Sequence, residues 1–160
     1  MTPAVNVLNK AKYSYKLHEY QHNPGSASYG EEAADLLVQN PAQVFKTLLV
    51  AIEGNQKKLA VAVVPVSGLL NLKAMASALS VKKVVMAEPE AAERTTGYIV
   101  GGISPLGQKK ALPTVIDESA VDYGAIFISA GKRGLEIEMS ADDLVRLTSA
   151  KLAGIGRKDS

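Results

Sequence analysis

Cysteine is absent from the 160 residues of this chain, and histidine occurs only twice. Without thiols, the sequence excludes disulfide frameworks, cysteine-based zinc and iron–sulfur sites, and cysteine nucleophiles. Long hydrophobic runs are also missing, because a stretch such as 59–66 is far shorter than the roughly 20 residues of a membrane span. The N-terminus has no apolar core behind a basic segment and so predicts no signal peptide. These absences together predict a soluble cytoplasmic protein.

Charge of one sign is equally scarce, since 18 basic against 16 acidic side chains leave a net charge of +2. That excess is too small for a stand-alone nucleic-acid binder, because affinity for phosphate backbones comes from several Lys and Arg side chains acting together. Paired basic residues of this kind are usually solvated surface. The pairs are Lys57-Lys58, Lys82-Lys83, Lys109-Lys110 and Lys132-Arg133. A nucleic acid would therefore be gripped over a short piece or with the help of a partner.

No repeat, low-complexity tract or linker divides the sequence, and its length fits one domain over residues 1–160. Helix-start signals and apolar periodicity predict helices at 3–12, 31–38, 71–79, 89–93 and 141–149. Alternation and turn residues predict strands at 13–20, 44–53, 58–66, 83–86, 114–117, 125–129 and 135–139, with an extended segment at 97–103. Short strands interleaved with short helices, several joined as hairpins, predict an α+β fold around a mainly antiparallel sheet.

Residues 18–22 (HEYQH) match the HExxH pattern of zinc peptidases. In that pattern the two histidines lie one helical turn apart and so reach one metal ion. Here the segment is predicted as a strand that ends at the Asn-Pro-Gly turn, and strand positions four apart are separated by about 13 Å. The sequence therefore does not predict a zinc site.

Residues 102–109 (GISPLGQK) nearly spell a phosphate-binding P-loop. Gln108, however, separates the last glycine from the lysine, and Lys110 stands where Ser or Thr is required, so that geometry is not supported. The simpler interpretation is a tight surface loop. The glycines at 97, 101, 102 and 107 still leave backbone amides open to an anion or an ester carbonyl.

Lys46 lies inside an otherwise apolar predicted strand. Lysine is seldom fully buried without a partner, so this one either extends from a sheet edge to solvent or serves a site, and both interpretations stay open. Ser129, close to Gly131, is a candidate nucleophile. Neither histidine has an evident role as its base, so a catalytic triad is not indicated.

Three stretches, FKTLLV at 45–50, TGYIVGGISPLGQKK at 96–110 and SAGKRGL at 129–135, stand out together with the opening Met-Thr-Pro-Ala. They resemble the bacterial YbaK-type Cys-tRNA(Pro) deacylases, a family related to the editing domain of prolyl-tRNA synthetases. The resemblance covers essentially the whole chain, and the second stretch is its most specific part. It implies a single domain with a mostly antiparallel, barrel-like β-sheet flanked by short helices, and no metal or other cofactor.

The resemblance implies an enzyme that hydrolyses the ester between cysteine and the 3′ end of mischarged tRNA(Pro), with prolyl-tRNA synthetase as its partner. A binding pocket separates a methylene-sized difference by only about 1–3 kcal/mol, so a synthetase cannot reliably reject cysteine in place of proline. In the mechanism proposed for the family, the substrate's own thiol attacks the aminoacyl carbonyl and leaves a thiolactone that hydrolyses. Proline has no thiol, and no protein nucleophile is needed.

Carried over position by position, the resemblance implies that Lys46 is the essential lysine, and we expect its ammonium to hold the phosphate or ribose of the terminal adenosine. Lysine, with an ordinary pKa of about 10.4, is a poor base at neutral pH. Gly101 and Gly102 match the family's substrate loop and are expected to donate amides to the oxyanion. The other expected substrate-binding residues are Ser129 and the neighbouring Gly131, Glu136, and the two pocket aromatics Tyr20 and Tyr29, for which ordinary core packing is an equal alternative.

Three positions depart from the family pattern. Glu136 stands where aspartate is more usual, Tyr29 where phenylalanine is commoner, and Ala111 where a further basic residue is frequent. The longer reach of Glu136 puts its contact with the substrate amine or ribose in question. Two alternatives stay open, a deacylase for Ala-tRNA(Pro), which a thiol mechanism cannot serve, and a non-catalytic module that binds tRNA or synthetase.

Overall fold

The described part of the chain begins with a helix and a short strand. The structure, a computed structural model, describes residues 2–20 and 40–158. Helix α1 (Pro3–Ala11) begins as the sequence predicts, because Thr2 Oγ1 accepts a hydrogen bond from the Val5 N–H at 3.3 Å and proline occupies the first turn. Strand β1 (Lys16–Glu19) follows and is shorter than predicted. The predicted helix at 31–38 lies outside the described residues.

The larger sheet has five strands in the order β5-β2-β3-β6-β9. The strands are β2 (Phe45–Ile52), β3 (Leu59–Pro65), β5 (Val84–Met86), β6 (Thr114–Asp117) and β9 (Lys151–Ala153). The predicted hairpin of β2 and β3 is confirmed. Strands β6 and β9 run parallel to β3, so this sheet is mixed.

A second sheet has the order β1-β8-β7, with β7 (Ile126–Lys132) and β8 (Leu135–Met139). The short strands β4 (Gly68–Leu70) and β10 (Gly156–Lys158) form a separate antiparallel pair. Of the seven strand pairings among residues 2–20 and 40–158, five are antiparallel, in agreement with the predicted fold class. The two main sheets meet where Val44 bridges Phe127 and the Phe127 N–H donates to the Gln43 carbonyl at 3.1 Å.

Three further α-helices flank the sheets in the described part of the chain, α2 (Leu72–Ala78), α3 (Pro89–Thr96) and α4 (Ala141–Thr148), together with a 3₁₀ turn at Glu118–Asp122. Asn71 Oδ1 caps α2 by accepting from the Ala74 N–H at 3.1 Å. Ser140 Oγ accepts from the Asp143 N–H at 3.4 Å, which confirms the predicted cap of α4. Such caps satisfy amides that no earlier turn can bond.

Strand β2 is packed on both faces. Phe45 and Leu49 belong to the main core between the two sheets, whereas Val50 packs in a second core with Met75 of α2. Burial of one such side chain contributes about 1.5–3 kcal/mol, so this strand is held firmly in place. It is the strand that positions Lys46.

Two expectations for residues 97–107 are wrong. The segment 97–103 forms no strand, because α3 ends at Gly97 with φ +82° and a turn follows at 100–101. The 102–109 segment is not a simple surface loop either. Ile103, Ser104 and Leu106 are buried, and a Cβ on Gly107 would lie 2.6 Å from the Pro3 carbonyl carbon, so the loop is packed tightly against the start of α1.

Candidate functional site

A cavity of about 360 Å³ lies along one edge of β2. Strand β5 pairs only with residues 50–52 of β2, so the preceding half of β2 has no strand partner on that side among the described residues. Residues 45–49 line the cavity from this open edge, and Met86 and Ala87 at the end of β5 close it. This cavity, hereafter the Lys46 pocket, is walled by apolar side chains and contains a few polar groups.

Lys46 projects from β2 on the face that carries Leu48 and Val50, since side chains alternate along a strand. Its ammonium donates a hydrogen bond to the Gly68 carbonyl of β4 at 2.9 Å, and its side chain is half-buried. The strand holding it is paired with β5 over residues 50–52 and is open on that side beside Lys46. Lys46 is at a sheet edge and lines a pocket as well.

Ser129 and Glu136 are directly opposite each other on β7 and β8, so both side chains leave the sheet on the same face, toward the Lys46 pocket. Ser129 Oγ accepts a hydrogen bond from the Gly131 N–H at 3.1 Å, across an irregularity between Ser129 and Lys132. Glu136 is only 5% exposed, and burial raises the pKa of its carboxyl group to about 8. At neutral pH this carboxyl group is therefore protonated in most of the molecules.

Gly101 forms the rim of the Lys46 pocket at a tight turn. The Gly102 N–H donates to the Ile99 carbonyl at 2.9 Å, and Gly101 has φ +96°, a value that favours glycine at the third position of a turn. The Val100 N–H is also occupied, because it donates to Glu93 Oε2 at 2.8 Å. The Gly101 N–H has no hydrogen-bond partner within residues 2–20 and 40–158, so at this rim of the Lys46 pocket it is a candidate donor to a substrate.

Gly102 and Gly131 lie beside the Lys46 pocket and line a second cavity instead. A Cβ on Gly102 would be 2.8 Å from Lys132 Cα, and one on Gly131 would be 2.7 Å from Tyr98 Cε1. Both glycines therefore permit close packing between the turn and the end of β7. The amides of Gly101 and Gly102 were both predicted to bind the oxyanion. Because the Gly102 amide donates inside the turn, Gly101 is the one of the two that stays a candidate for this role.

Tyr20 lines the Lys46 pocket just after β1, and its N–H donates to the Gly134 carbonyl at 3.0 Å. Tyr29 lies outside the described residues. The structure thus brings together five of the sequence-predicted residues, which are Tyr20, Lys46, Gly101, Ser129 and Glu136.

Sequence reasoning missed Thr47, which also lines the pocket. Its hydroxyl oxygen is buried and has no hydrogen-bond partner among the described residues. The signal was a hydroxyl side chain next to a lysine in an apolar strand. Sequence reasoning also missed the wall formed by Pro89 and Ala92 of α3, which carries no polar signature.

His18 lies in β1, so the structural argument against the HExxH interpretation is confirmed for this residue. Its Nε2 is 2.8 Å from Glu138 Oε1, and its ring contacts Phe127 at a centroid distance of 5.3 Å. The other histidine, His22, is outside the described residues. Within the described ranges no three His, Asp or Glu side chains are close enough together to hold a metal ion, and no described helix has the length and apolar character to cross a membrane.

These features define a small α+β domain whose pocket joins a lysine, a buried carboxyl group, a serine and a glycine amide that has no partner in the described part of the chain. The chain matches the model of the aminoacyl-tRNA editing domain over residues 23–147. It belongs to that family. It is also 39% identical, over 158 residues that cover 99% of this chain and 94% of the relative, to the Enterococcus faecalis protein named "Putative Cys-tRNA(Pro)/Cys-tRNA(Cys) deacylase EbsC".

Solved structures support the fold. A structure described as "a putative trans-editing enzyme for prolyl tRNA synthetase" has a TM-score of 0.83 and 23% identity, covering 97% of this chain and 95% of that chain. The hypothetical protein APE2540 has a TM-score of 0.85 and 23% identity, covering 97% and 99% of the two chains. At these identities, the likeness establishes the architecture of the sheets and helices.

Proposed function

We propose that this protein is a trans-editing deacylase that hydrolyses the cysteinyl ester of mischarged tRNA(Pro). Family membership and the name of the 39% identical relative support an aminoacyl-tRNA substrate. The observation that carries the proposal is the chemistry of the Lys46 pocket, which offers charge and hydrogen bonds but no activated nucleophile among the described residues. Ser129 Oγ is held by the Gly131 amide, and the described histidine, His18, is paired with Glu138.

The reaction uses the nucleophile that the substrate brings. The cysteine sulfur attacks its own carbonyl carbon, the bond from that carbon to the ribose oxygen of the terminal adenosine breaks, and the thiol proton passes to the departing oxygen. The product is a four-membered thiolactone, which water opens to free cysteine. The protein has to orient the ester, stabilise the oxyanion and manage one proton.

The pocket residues suit these three tasks. Lys46 offers a positive charge to the ribose or phosphate of the terminal adenosine, and the Gly101 amide offers a donor to the oxyanion. Glu136, with a pKa of about 8, is close in acidity to a thiol, whose ordinary pKa is about 8.5. It therefore suits proton transfer from sulfur to the departing oxygen. Ser129 orients the aminoacyl group.

Selection follows from reactivity. Proline and alanine lack the thiol, so their esters bind without undergoing the first step. In this mechanism the enzyme recognises the amino acid and not the tRNA, so cysteine on its own tRNA is expected to be a substrate as well. The name of the 39% identical relative includes both Cys-tRNA(Pro) and Cys-tRNA(Cys). The proposal also includes prolyl-tRNA synthetase as the partner, the cytoplasm as the site of action, and one editing domain over residues 1–160.

The test is deacylation of cysteinyl-, alanyl- and prolyl-tRNA(Pro) by the purified protein in the presence of a metal chelator. We expect loss of cysteine alone. A fourth substrate, tRNA(Pro) charged with S-methylcysteine, has nearly the same size but no free thiol and should be stable. Hydrolysis of the alanyl or S-methyl ester would contradict the thiol mechanism. Binding without turnover, unchanged by Lys46→Ala, would identify a non-catalytic module.

A further inference from the structure

The second cavity lies on the other side of the Ile99–Gly102 turn and also measures about 360 Å³. Val100 lines both this cavity and the Lys46 pocket, so the two spaces are neighbours separated by one turn. We call it the turn cavity and define it by Ile99, Val100, Gly102, Gly131, Lys132 and Arg133. It collects residues from two of the sequence stretches noted above, and the proposed chemistry uses none of these side chains.

The wall of the turn cavity is apolar where solvent would favour polar side chains. Ile99 is 77% exposed and Val100 is 41% exposed, side by side at the tip of the turn. Single exposed apolar residues are ordinary, but two adjacent ones on the rim of a cavity mark a surface that an apolar group can cover. Tyr98 also lines the cavity, but it is almost fully buried and its hydroxyl donates to the Leu106 carbonyl at 2.6 Å.

Two cationic residues line the same cavity. Lys132 is exposed at the end of β7, and Arg133 follows it in the turn to β8. Gly102 and Gly131 also line the cavity, and a side chain at either position would collide with the Lys132 backbone or the Tyr98 ring, so the turn and the end of β7 lie close together there. Apolar side chains and cationic side chains that line one cavity suit a group with an apolar ring and a negative charge beside it. A nucleotide has this combination of base and phosphate.

We propose that the turn cavity binds the nucleotide that precedes the terminal adenosine of the tRNA, with its base on Ile99 and Val100 and its phosphate toward Lys132. This inference rests on the proposed function, because it needs an RNA 3′ end whose last residue enters the Lys46 pocket. The shared residue Val100 places the two nucleotide positions next to each other, as consecutive nucleotides of one strand require. The small net charge of +2 agrees with contacts to only two nucleotides of the RNA.

The test compares the binding of adenosine and of the dinucleotide CpA, neither of which carries an aminoacyl ester that a deacylase could cleave. The wild-type protein should bind CpA about tenfold more tightly, the scale of one base contact together with one phosphate contact. Ile99→Ser and Lys132→Ala should each remove most of that gain. Val121→Ser, at an apolar side chain that is 46% exposed, and Lys57→Ala, at an exposed lysine, are the matched controls and should keep it.

Salt dependence separates a phosphate contact from a structural effect. Loss of one phosphate contact to a single strand reduces the slope of log K against log salt by about 0.7. Lys132→Ala should show that change for CpA, whereas Ile99→Ser should leave the slope as it is. Thermal unfolding of both variants checks that they are folded.

The proposal is overturned if CpA binds no more tightly than adenosine, or if both variants keep the full gain. It is also overturned if Ile99→Ser leaves RNA binding unchanged and weakens association with prolyl-tRNA synthetase, since the cavity would then be a protein interface. Failure of the proposed function looks different. In that case CpA binds as expected and the variants lose the gain, while wild-type protein leaves cysteinyl-tRNA intact.

Discussion

The Lys46 pocket and the groove between α2 and β5 are both hollows on the larger sheet, and they differ in chemistry. The groove, lined by Lys73, Lys82 and Lys83 with Glu53, is larger, about 820 Å³ against about 360 Å³. All four of its charged side chains are exposed. In the pocket, Glu136 is buried with a raised pKa. By volume alone, the groove would be the stronger candidate for the functional site. The burial of a polar group favours the Lys46 pocket instead.

Buried and exposed charged groups differ in their effect on a reaction, because removing a charge from water costs free energy. A charge in water has little effect on a neighbouring reaction, because solvent screens it. A buried carboxyl group is costly to ionise, so one that is retained in a packed pocket is a candidate for a functional role. The comparison therefore predicts that substitutions in the Lys46 pocket change catalysis strongly and that substitutions in the groove do not.

The largest effect on activity is expected at Lys46. Lys46→Ala should lower the rate of Cys-tRNA(Pro) deacylation by about 10²- to 10³-fold, the usual effect of removing one preorganised electrostatic group. Lys46→Arg keeps the charge and should retain part of the activity. Single-turnover deacylation measures both. Equal loss in the two variants would contradict a role based on charge alone.

The second effect concerns Glu136 and stability. The unfolded chain releases this proton near the ordinary value of 4.5, whereas the folded protein retains it up to a pKa of about 8. Between these values the folded state binds more protons, so stability falls as the pH rises from about 4.5 to about 8 and is level above that range. The loss should be on the order of 5 kcal/mol, since one pKa unit corresponds to about 1.4 kcal/mol.

Glu136→Gln removes this titration and should flatten that part of the stability profile, leaving the variant more stable than the wild type at pH 8. Urea unfolding at a series of pH values measures it. Glu90→Gln, at an exposed carboxyl group, is the control and should retain the slope. A slope that persists in Glu136→Gln would show that another group is responsible.

A smaller effect is expected at the wall between the pocket and the turn cavity. In Gly102→Ala the new Cβ would lie 2.8 Å from Lys132 Cα, so the turn or the end of β7 has to shift. We expect destabilisation of about 1–3 kcal/mol and a displaced Gly101 amide. Gly124→Ala is the matched control, because nothing lies within 4 Å of its Cβ. Similar unfolding midpoints for the two variants would refute the tight packing.

The smallest effect is expected in the groove. The double change Lys82→Ala and Lys83→Ala should alter deacylation by less than about threefold at 0.15 M salt, because screening limits the reach of exposed charges to about 8 Å. Measurement of kcat/KM with full-length Cys-tRNA(Pro) decides it. A loss as large as that of Lys46→Ala would contradict the prediction that the groove has no part in catalysis.

The sequence predicted much of the fold from local signals. The caps at Thr2 and Ser140 and the β2–β3 hairpin depend on neighbouring residues, and each is present. The strands β4, β9 and β10 were missed, because each has only three residues and, unlike β5, none of them contains a β-branched residue. The parallel pairing of β3, β6 and β9 joins distant segments and has no local signature.

The sequence by itself determined the absence of a cysteine nucleophile, the identity of the lysine in an apolar strand and the resemblance to an editing family. Only the tertiary structure decided which residues meet. Lys46, Gly101, Ser129 and Glu136 span 91 positions of the chain and converge because two sheets join at the Val44–Phe127 bridge. The protonation of Glu136 was decided in the same way, since a pKa depends on the solvent and charges around a group, and packing alone removes that solvent.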